Sequence, residues 1–596
     1  MKSKLFISIV SLLCVCSLAK AEEKLPTPSK AQLEWFDLER YAFAHFSLNT
    51  FTDQEWGFGD ESPAIFNPDS LDLEQWAQVC SEAGLKGIIV TAKHHCGFCL
   101  WPSKFTEYSV KNSPWKDGKG DVIRDLRNAC DKYGLKLGIY LSPWDRNHAQ
   151  YGEQEYVEYF RNQLTELLTE YGDIFEVWFD GANGGDGYYG GAYGNRNIDR
   201  ETYYGWPTTV QLVRGLQPNC MIWNEVGPDV RWCGNEQGAG GSTNWCRYNY
   251  SKHTPGAPGN TTLSQGEIDG TDFVVSEVNV SIRPGWFYHE FEDLKVKSLK
   301  KLFNIYLNSV GSGSTWLLNF PITPSGRIHQ ADAEAAISLN KYLAETFSHD
   351  LAEGAEVKKG EGKITLTLKQ PVTFNLVQLR EDLATGQRID TFSVEKLVGG
   401  EWQALAQGTT IGHKRIVRVP DTTADAIRVK VGSITDVVPL PQVSLFYAKE
   451  IVEEEVVETY DLDRSKWTII EPQVEDAHLM LDGDKTTMTW IDKGFPVDVV
   501  IDMGGTQNLK GFRYLPDQGD YWLRGIITNY EFAVSNDGKE WNTVSGGEFA
   551  NIAHNPLWQV VKFKETVDAR YFRFRAISNS KGWGDFGCAE LDVFTK

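Results

Sequence analysis

The chain has 596 residues, a length that allows roughly three to five domains, or fewer if one of them is a large barrel. Hydrophobic residues make up 41% and charged residues 23%, so the chain can build hydrophobic cores and disorder is not expected. Asp and Glu number 81 against 59 Lys and Arg, which gives a formal net charge of −22. So acidic a surface argues against nucleic acids and anionic membranes as partners.

The first 21 residues have the composition of a signal peptide. Lys2 and Lys4 precede the apolar stretch Leu5–Leu18, and Ala19-Lys20-Ala21 fits an A-x-A cleavage site. The apolar stretch is too short to span a bilayer, and we predict no other membrane span in the sequence. We therefore predict export to the periplasm or the extracellular space as a soluble protein, with a lipid anchor as the alternative.

Strand-like and helical patterns alternate from Arg40 to about Phe347. The strands recur about every 40 to 55 residues, which is typical of a parallel βα array and predicts a (β/α)₈-like barrel of the α/β class over residues 30–348. An eighth, short strand is expected between Val280 and Thr315. The predicted strands are Tyr41–Leu48, Gly87–Ala92, Lys136–Leu141, Phe175–Asp180, Met221–Asn224, Phe273–Val280 and Thr315–Phe320. The predicted helices are Leu71–Ala83, Val122–Tyr133, Tyr156–Tyr171, Thr208–Leu216, Leu294–Val310 and Ala331–Thr346.

The pattern changes after about Leu351, where helical periodicity disappears. Short alternating runs separated by Gly, Pro and Asp-Thr turns predict a β-sandwich over residues 351–450. The acidic stretch Glu450–Glu458 has the composition of a linker. A second all-β domain, of the sandwich or jelly-roll type, is predicted over residues 458–596.

Side chains that follow the predicted strands should form the functional site, because βα barrels bind substrates at the carboxyl ends of their strands. These positions carry histidines, carboxylates, arginines and many aromatic side chains. Aromatic faces beside paired carboxylates are typical of enzymes that cleave glycosidic bonds, in which one carboxylate attacks or activates water and one acid protonates the leaving oxygen. Composition leaves the pair open among Glu55, Asp145, Asp180, Asp229, Glu236 and Glu277.

Several of these side chains also have a purely structural interpretation. Asp180 can cap the turn after its strand, and His45 can be a core residue with satisfied hydrogen bonds. Arg231 and Arg283 can form salt bridges on the barrel rim. The run His94-His95-Cys96-x-x-Cys99 has metal-ligand residue types, but no second C-x-x-C exists, and we interpret the paired histidines as sugar-binding.

Five strings carry a resemblance to a known family. They resemble the α-L-fucosidases of glycoside hydrolase family 29, and most of all the subgroup specific for α-1,3- and α-1,4-linked fucose in branched, Lewis-type oligosaccharides. The resemblance runs from about Trp35 to Phe320 and implies a retaining mechanism, with Asp180 as the nucleophile and Glu236 as the acid/base. The strings are FAHFSLNTFTDQEWG, VTAKHHCGFCLWPSKFTEYSV, VWFDGANG, GPDVRWCGNEQG and SIRPGWFYH.

The same resemblance implies a fucose pocket whose polar groups bond the sugar hydroxyls and whose aromatic faces pack the C6 methyl group. Two features depart from the family pattern. Cys96 stands where the family usually has Asp after the paired histidines, and the glycine-rich stretch after Asp180 is long and is expected to shape the leaving-group side. The implied pocket is His45, Glu55, Trp56, His94, His95, Tyr140 and Trp178, with Arg283 and Trp286 from the RPGW motif, and with Asp229, Trp232 and Glu277 as contacts to the sugars beyond fucose.

The C-terminal block resembles a discoidin, or coagulation-factor C-type, domain of the kind found in family 32 carbohydrate-binding modules. The motifs LDGDKTT and SNDGKEW carry this resemblance. It implies a jelly roll in which a structural calcium is an option, and either a sugar-binding or a purely structural role. The aromatic side chains that could bind sugar are Trp490, Tyr521, Trp522 and Trp583.

We therefore predict a retaining exo-α-L-fucosidase that acts on fucosylated oligosaccharides or glycoconjugates and needs no cofactor or metal for catalysis. One alternative is another retaining exo-glycosidase on the same barrel, such as an α-galactosidase. The other is a glycan-binding protein whose barrel is catalytically inactive.

Overall fold

The computed structural model of the protein describes residues 25–181, 187–256, 262–453, 460–518 and 524–596. The predicted signal peptide and the candidate sugar-binding residues Tyr521 and Trp522 lie outside the described residues. The helices are α1 (Lys30–Phe36), α2 (Leu48–Thr52), α3 (Leu73–Glu82), α4 (Val122–Tyr133), α5 (Gln154–Glu170), α6 (Trp206–Leu216), α7 (Thr262–Gln265), α8 (Leu299–Asn308) and α9 (Gln330–Thr346).

The first part of the chain forms a closed barrel of parallel strands, as predicted. Its strands pair in the order β1-β10-β9-β6-β5-β4-β3-β2, and nearly all of their residues are buried, because side chains fill the interior and helices cover the outside. The strands of this part are β1 (Arg40–His45), β2 (Gly87–Lys93), β3 (Lys136–Leu141), β4 (Ile174–Phe179), β5 (Met221–Asn224), β6 (Val230–Trp232), the short ladder β7 (Arg247–Tyr248) and β8 (Asp272–Phe273), β9 (Val275–Ser281) and β10 (Thr315–Pro321).

The position predicted for the eighth barrel strand is wrong. That strand is β6, which lies between β5 and β9 in the sheet and not between Val280 and Thr315 in the sequence. It has only three residues, and no helix separates it from β5. A strand this short, without its own helix, leaves no periodic signal in the sequence.

The six predicted helices are confirmed as α3, α4, α5, α6, α8 and α9. Helix α4 illustrates the local interactions that make a helix begin and end where the sequence predicts. Asp121 caps its first turn by accepting a hydrogen bond from the Arg124 N–H at 2.9 Å, and Gly134 ends it with a φ of 68°, a left-handed conformation that glycine adopts without strain. Its buried face packs between β2, β3 and α3 and consists of Val122, Ile123, Leu126, Ala129 and Cys130.

Helix α1 covers the amino-terminal end of the barrel. Ser29 and Gln32 form a capping box at its start, and the Gln32 amide also donates to the Phe273 carbonyl at 2.7 Å. The Trp35 indole donates to Glu176 at 2.8 Å inside the barrel. With this end closed, the carboxyl ends of the strands are the open side of the barrel.

Antiparallel β-structure follows the barrel, as predicted. The middle sheet consists of β11 (Glu356–Gly360), β12 (Lys363–Arg380), β13 (Ile389–Val398), β14 (Glu401–Gly408), β15 (Arg415–Ser433) and β16 (Gln442–Phe446), in the order β11-β12-β15-β13-β14 with β16 beside β12. It packs on the barrel through hydrogen bonds such as Gln387 Oε1 with the Cys246 N–H at 2.6 Å.

The C-terminal region is a second antiparallel β-structure around an aromatic core in which Phe512, Phe532, Phe572 and Phe574 pack together. Its main sheet has the order β17-β19-β22-β20-β21 with β24 beside β19, and β18 pairs with β23. The strands are β17 (Thr468–Glu471), β18 (Thr489–Asp492), β19 (Val497–Leu515), β20 (Ile527–Ser535), β21 (Asn542–Glu548), β22 (Gln559–Asn579), β23 (Asp585–Cys588) and β24 (Glu590–Phe594). In the described ranges, none of the helices is both long and apolar enough to cross a membrane.

A buried ion pair lies behind the end of β2. Lys93 Nζ lies 3.0 Å from Asp145 Oδ2, and the two side chains are 0% and 1% exposed. Asp145, a candidate catalytic carboxylate in the sequence, is therefore a structural partner of Lys93. The hydroxyl of Tyr156 also contacts the Lys93 ammonium, at 3.2 Å.

Because Asp145→Ala leaves the Lys93 ammonium buried without its counter-charge, we expect it to lower the free energy of unfolding by about 3–5 kcal/mol. Urea denaturation of the full chain measures this. The matched control is Glu170→Ala, which breaks the exposed Lys104–Glu170 pair and should cost less than about 1 kcal/mol. Equal losses in the two variants would contradict the interpretation.

Candidate active site

The open end of the barrel brings together the side chains that end β1, β2, β3 and β4. The His45 ring centroid lies 5.8 Å from that of His94 and 6.1 Å from that of Tyr140. The rings of His94 and His95 are 4.1 Å apart, and Tyr140 stacks on Trp178 at 5.4 Å. These predicted site residues therefore line one cleft.

Asp180 follows the last residue of β4 and points into this cleft. Its Oδ2 accepts a hydrogen bond from the Tyr140 hydroxyl at 2.8 Å and lies 3.6 Å from His95 Nε2. The side chain is 24% exposed, so solvent or a ligand can reach it. Tyr140 and His95 fix the direction of the carboxylate while leaving part of it open.

The three histidines of the cleft are neutral near pH 7. Burial lowers the pKa of His45 to about 4 and that of His95 to about 3, and it lowers the pKa of His94 well below its usual range. Asn319 Oδ1 lies 2.8 Å from His45 Nδ1, and Ser142 Oγ lies 2.7 Å from His95 Nδ1. Neutral imidazoles can both donate to and accept from hydroxyl groups.

His94 Nδ1 is a buried polar atom that has no hydrogen-bond partner among the residues the structure describes. A buried polar atom without a partner loses free energy relative to one that is hydrogen-bonded.

Glu236 lies at the side of the cleft formed by the segment after β6. Its carboxyl group accepts hydrogen bonds from the Trp286 indole at 2.8 Å and from the Asn551 amide at 2.7 and 2.6 Å. Burial raises the pKa of Glu236 to about 8, although both hydrogen bonds oppose this shift. The group is therefore mostly protonated at neutral pH, in contrast to an ordinary glutamate.

Glu55 is held by the segment after β9. It accepts hydrogen bonds from the N–H groups of Trp286 and Phe287 and lies 2.9 Å from His289 Nε2. Burial would raise the pKa of Glu55, but His289 and the two N–H groups together keep it below its usual range. Beside it, Trp56 packs its ring edge-to-face on His95 at 5.8 Å.

Trp232, the last residue of β6, lies beside the C-terminal region. Its indole donates to Asn279 Oδ1 at 2.7 Å, and its ring packs edge-to-face against His554 at 5.0 Å. This aromatic pair lies on the Glu236 side of the cleft, where a larger ligand would extend.

The structure places two of the predicted sugar contacts, Glu277 and Asp229, away from the cleft. Glu277 is fully buried inside the barrel, level with the first residue of β10, where Tyr41 and Trp178 donate to it. Asp229 precedes β6 and accepts from Arg214 and from the Ile222 N–H, which joins the start of β5 to α6. Neither carboxyl group faces the cleft.

Arg283 is also engaged elsewhere. Its guanidinium is buried and bonds both carboxylate oxygens of Asp332 on α9, at 2.9 Å, and Asp293 at 2.6 Å. These charge pairs raise the pKa of Arg283. Arg283 therefore anchors the RPGW segment and presents no charge to the cleft, which confirms its structural interpretation.

The sequence interpretation missed four residues near the cleft: Asn319, His289, Glu225 and Asn551. Asn319 and His289 stand at strand-end positions or inside a quoted motif, so strand position was a usable signal. Glu225 follows β5 close to Asp180, since a Cβ on Gly181 would lie 3.1 Å from its Oε2, and burial raises its pKa to about 7. Asn551 lies 315 residues from Glu236, and no local pattern marks it.

Two segments of the sequence carry residue types that can bind a metal ion. Cys96 bonds Ser47, and burial raises the pKa of its thiol to about 12, which disfavours the thiolate that a metal needs. In the C-terminal region, Glu590 beside the LDGDKTT loop accepts from Arg464 and from the Gly483 N–H, so protein donors occupy its oxygens. In the described part of the chain, no group of three or more His, Cys, Asp or Glu could hold a metal ion, and a structural calcium in the C-terminal domain stays a prediction.

His289 bridges Asp53 and Glu55 with its two ring nitrogens. Burial opposes its charge, but the two carboxylates raise the pKa of His289 to about 10. Because this folded pKa exceeds the unfolded value of about 6.5, its contribution to stability is complete below pH 6.5 and is lost as the pH rises through 10.

We therefore expect the difference in unfolding free energy between the wild type and His289→Gln to be largest near pH 6. It should shrink by on the order of 1–3 kcal/mol by pH 10. Urea denaturation at a series of pH values measures it, with the exposed His349→Gln as the control. A difference that does not depend on pH would show that His289 is not charged in the folded protein.

Comparison with known proteins gives a consistent result. The family profile described as Alpha-L-fucosidase matches residues 15–346, and that of the F5/8 type C domain matches residues 465–591. Alpha-L-fucosidase 1 of Arabidopsis thaliana is 40% identical over 428 residues, which is 66% of this chain and 82% of the relative.

Two solved structures are similar. A glycoside hydrolase 29 family member from an unknown rumen bacterium has 44% identity and a TM-score of 0.69, with 96% of this chain and 99% of that chain covered. A family 29 fucosidase of Ruminococcus gnavus in complex with fucose has 30% identity and a TM-score of 0.65, with 71% of this chain and 95% of that chain covered. The chain therefore belongs to the α-L-fucosidases of glycoside hydrolase family 29 and carries an F5/8 type C domain after its barrel.

Proposed function

We propose that this fucosidase is a retaining exo-enzyme that releases α-1,3- or α-1,4-linked fucose from branched glycans, with Asp180 as the nucleophile and Glu236 as the acid/base. The observation that carries the proposal is the difference between these two carboxyl groups. Asp180 accepts a hydrogen bond from Tyr140 and is 24% exposed, whereas burial raises the pKa of the half-buried Glu236 to about 8. Double displacement needs one ionised and one protonated carboxyl group.

In the first step, the Asp180 carboxylate attacks the anomeric carbon of fucose while Glu236 transfers its proton to the leaving sugar oxygen. This forms a fucosyl-enzyme ester and leaves Glu236 ionised. In the second step, the Glu236 carboxylate takes a proton from water, whose oxygen attacks the same carbon and releases Asp180. Protein carboxyl groups perform both proton transfers, so the mechanism requires no cofactor.

The neutral cleft supports fucose as the sugar. The neutral imidazoles of His45, His94 and His95 can bond adjacent hydroxyls. Glu55, fixed by two N–H groups and His289, is a preorganised acceptor for hydroxyl protons. Trp56 offers an apolar face for the sugar ring and its methyl group, whereas Trp178 stacks between Tyr140 and Trp223 and supports the cleft from behind.

Two further parts of the prediction remain proposals. Export after signal-peptide cleavage rests on the sequence of residues 1–21, and mass spectrometry of the mature amino terminus tests it. A sugar-binding role of the F5/8 type C domain is suggested by Trp583, whose side chain is exposed, and by Trp490 beside Arg524.

Replacing each carboxyl group tests the two roles. Glu236→Ala should lower kcat/KM on an oligosaccharide by about 10²–10⁴ but affect α-fucosyl fluoride far less, because fluoride leaves without a proton. Added azide should then attack the fucosyl-enzyme from the face that the leaving group vacated and give α-fucosyl azide. In Asp180→Ala, azide should attack from the opposite face and give β-fucosyl azide. NMR of the products distinguishes the two.

The control for that experiment is Glu225→Ala, since Glu225 also lies near Asp180 and has a raised pKa. It should give no azide product. If Glu225→Ala yields the α-azide and Glu236→Ala does not, the acid/base assignment is wrong, although the nucleophile assignment would stand.

Linkage preference is tested with matched substrates. We expect kcat/KM for the Lewis a and Lewis x trisaccharides to exceed that for 2'-fucosyllactose by about 10² or more, because the neighbouring galactose supplies binding energy used in the transition state. Trp232→Ala, which removes the aromatic side chain beside Glu236, should reduce this ratio. Equal kcat/KM on branched and unbranched substrates would contradict the proposed specificity.

A further inference from the structure

The loop between β21 and β22, residues 549–558, lies on the rim of the barrel cleft. Three contacts join it to two barrel segments, the one from Trp232 to Glu236 and the one that contains Pro284. The Asn551 amide donates to Glu236, the His554 ring packs on Trp232, and the Asn555 amide donates to the Pro284 carbonyl at 2.9 Å. The F5/8 type C domain therefore reaches the catalytic cleft and not only the outside of the barrel.

An ion pair at the start of β22 also joins the C-terminal domain to the barrel. Lys562 Nζ lies 2.7 Å from Asp53 Oδ2, and its ammonium lies 5.1 Å from the Phe291 ring centroid. Asp53 also bonds His289, which in turn bonds Glu55. The C-terminal domain thus contacts the barrel on two sides of the cleft.

The backbone of the loop holds Asn551 in a specific conformation. Its φ is 59°, in the left-handed region, which asparagine, aspartate and glycine tolerate better than other residues. Its carbonyl accepts from the N–H groups of His554 and Asn555 at 3.1 and 3.0 Å, which closes a turn. This hydrogen-bonded turn therefore holds the Asn551 side chain against Glu236.

We propose that Asn551 of the F5/8 type C domain is a positioning residue of the active site, which orients the carboxyl group of Glu236 toward the leaving oxygen. This rests on the proposed function, in which Glu236 is the acid/base. The contact is chemically specific, since one amide group lies within 2.7 Å of both carboxyl oxygens. With Trp286 on Oε2, it fixes the plane of the carboxyl group.

The amide also has an electrostatic effect. A donated N–H favours the ionised form of Glu236, which is the form that must accept a proton from water in the second step. Burial acts in the opposite direction and keeps the group protonated for the first step. Asn551 therefore stabilises the ionised state against burial in a group that must cycle between its two states.

Two variants that tolerate the left-handed backbone test the proposal in the full-length enzyme. Asn551→Asp keeps the shape but replaces the donor with a second carboxyl group, so the pair should retain its shared proton to higher pH. We expect the basic limb of kcat/KM against pH, near pH 8 in the wild type, to move up by about one unit or more. Asn551→Gly removes the donor without strain.

For Asn551→Gly we expect kcat/KM on a Lewis trisaccharide to fall about tenfold or more, while kcat/KM on α-fucosyl fluoride stays within about threefold. A merely structural role would lower kcat/KM for both substrates alike. The matched control is Asn555→Ala, which breaks a contact from the same loop to a backbone carbonyl and should leave the basic limb in place. Thermal unfolding confirms that each variant is folded.

The outcomes separate the two proposals. If the basic limb persists in Glu236→Gln, Glu236 is not the acid and the proposed function fails. If that limb disappears in Glu236→Gln but does not move in Asn551→Asp, and Asn551→Gly affects both substrates equally, only the role of Asn551 is overturned. A shift in Asn555→Ala as large as in Asn551→Asp would assign the effect to domain docking, which also overturns it.

Discussion

The desolvation of Glu236 is the constraint on which the catalytic cleft depends. A glutamate in water ionises near pH 4, and the two hydrogen bonds that Glu236 accepts should lower its pKa further. Burial outweighs both and raises the pKa to about 8. This balance requires water to be excluded by parts of the chain that are distant in sequence: the segment after β6, the RPGW segment and the loop of the F5/8 type C domain. The raised pKa of Glu236 is thus a product of tertiary structure.

Burial raises the pKa of Glu236 but lowers the pKa values of the cleft histidines, because it disfavours the charged form in both cases. His45, His94 and His95 become neutral hydrogen-bonding groups, which suits a ligand whose polar groups are hydroxyls. His289 shows what overrides this effect. It is equally buried, yet it contacts two carboxylates and its pKa rises to about 10. His95 lies 3.6 Å from one carboxylate, and after burial the cations of Arg146 and Lys93 lower its pKa further. His289 instead has two carboxylate partners, at 2.6 and 2.9 Å.

Local signals explain which parts of the structure could be predicted from the sequence. Apolar strand runs, helix periodicity and the glycine after α4 determine their elements by short-range physics, and the residues that end β2 and β4 then lie at the cleft by the geometry of the barrel. The features that the sequence prediction missed or misplaced have no local sequence signal. Strand β6 is too short to carry a pattern, and Glu277 lies in a correctly predicted strand but at a height set by the pairing of β9 with β10. Asn551 reaches Glu236 only through the docking of separate domains.

Trp286 links Glu55, a proposed sugar contact, to Glu236, the proposed acid/base. Its backbone N–H bonds Glu55, its indole bonds Glu236, and its carbonyl accepts from Asn319, which also lies against His45. The segment that carries it is anchored by the buried pair of Arg283 with Asp332, which cannot shift without leaving a charge unpaired. A displacement of this segment would therefore move Trp286 and disturb its hydrogen bonds to Glu55 and Glu236 together. In the proposed mechanism, a sugar bound against Glu55 and His45 would hold Trp286, and through it Glu236, in the geometry needed for proton transfer.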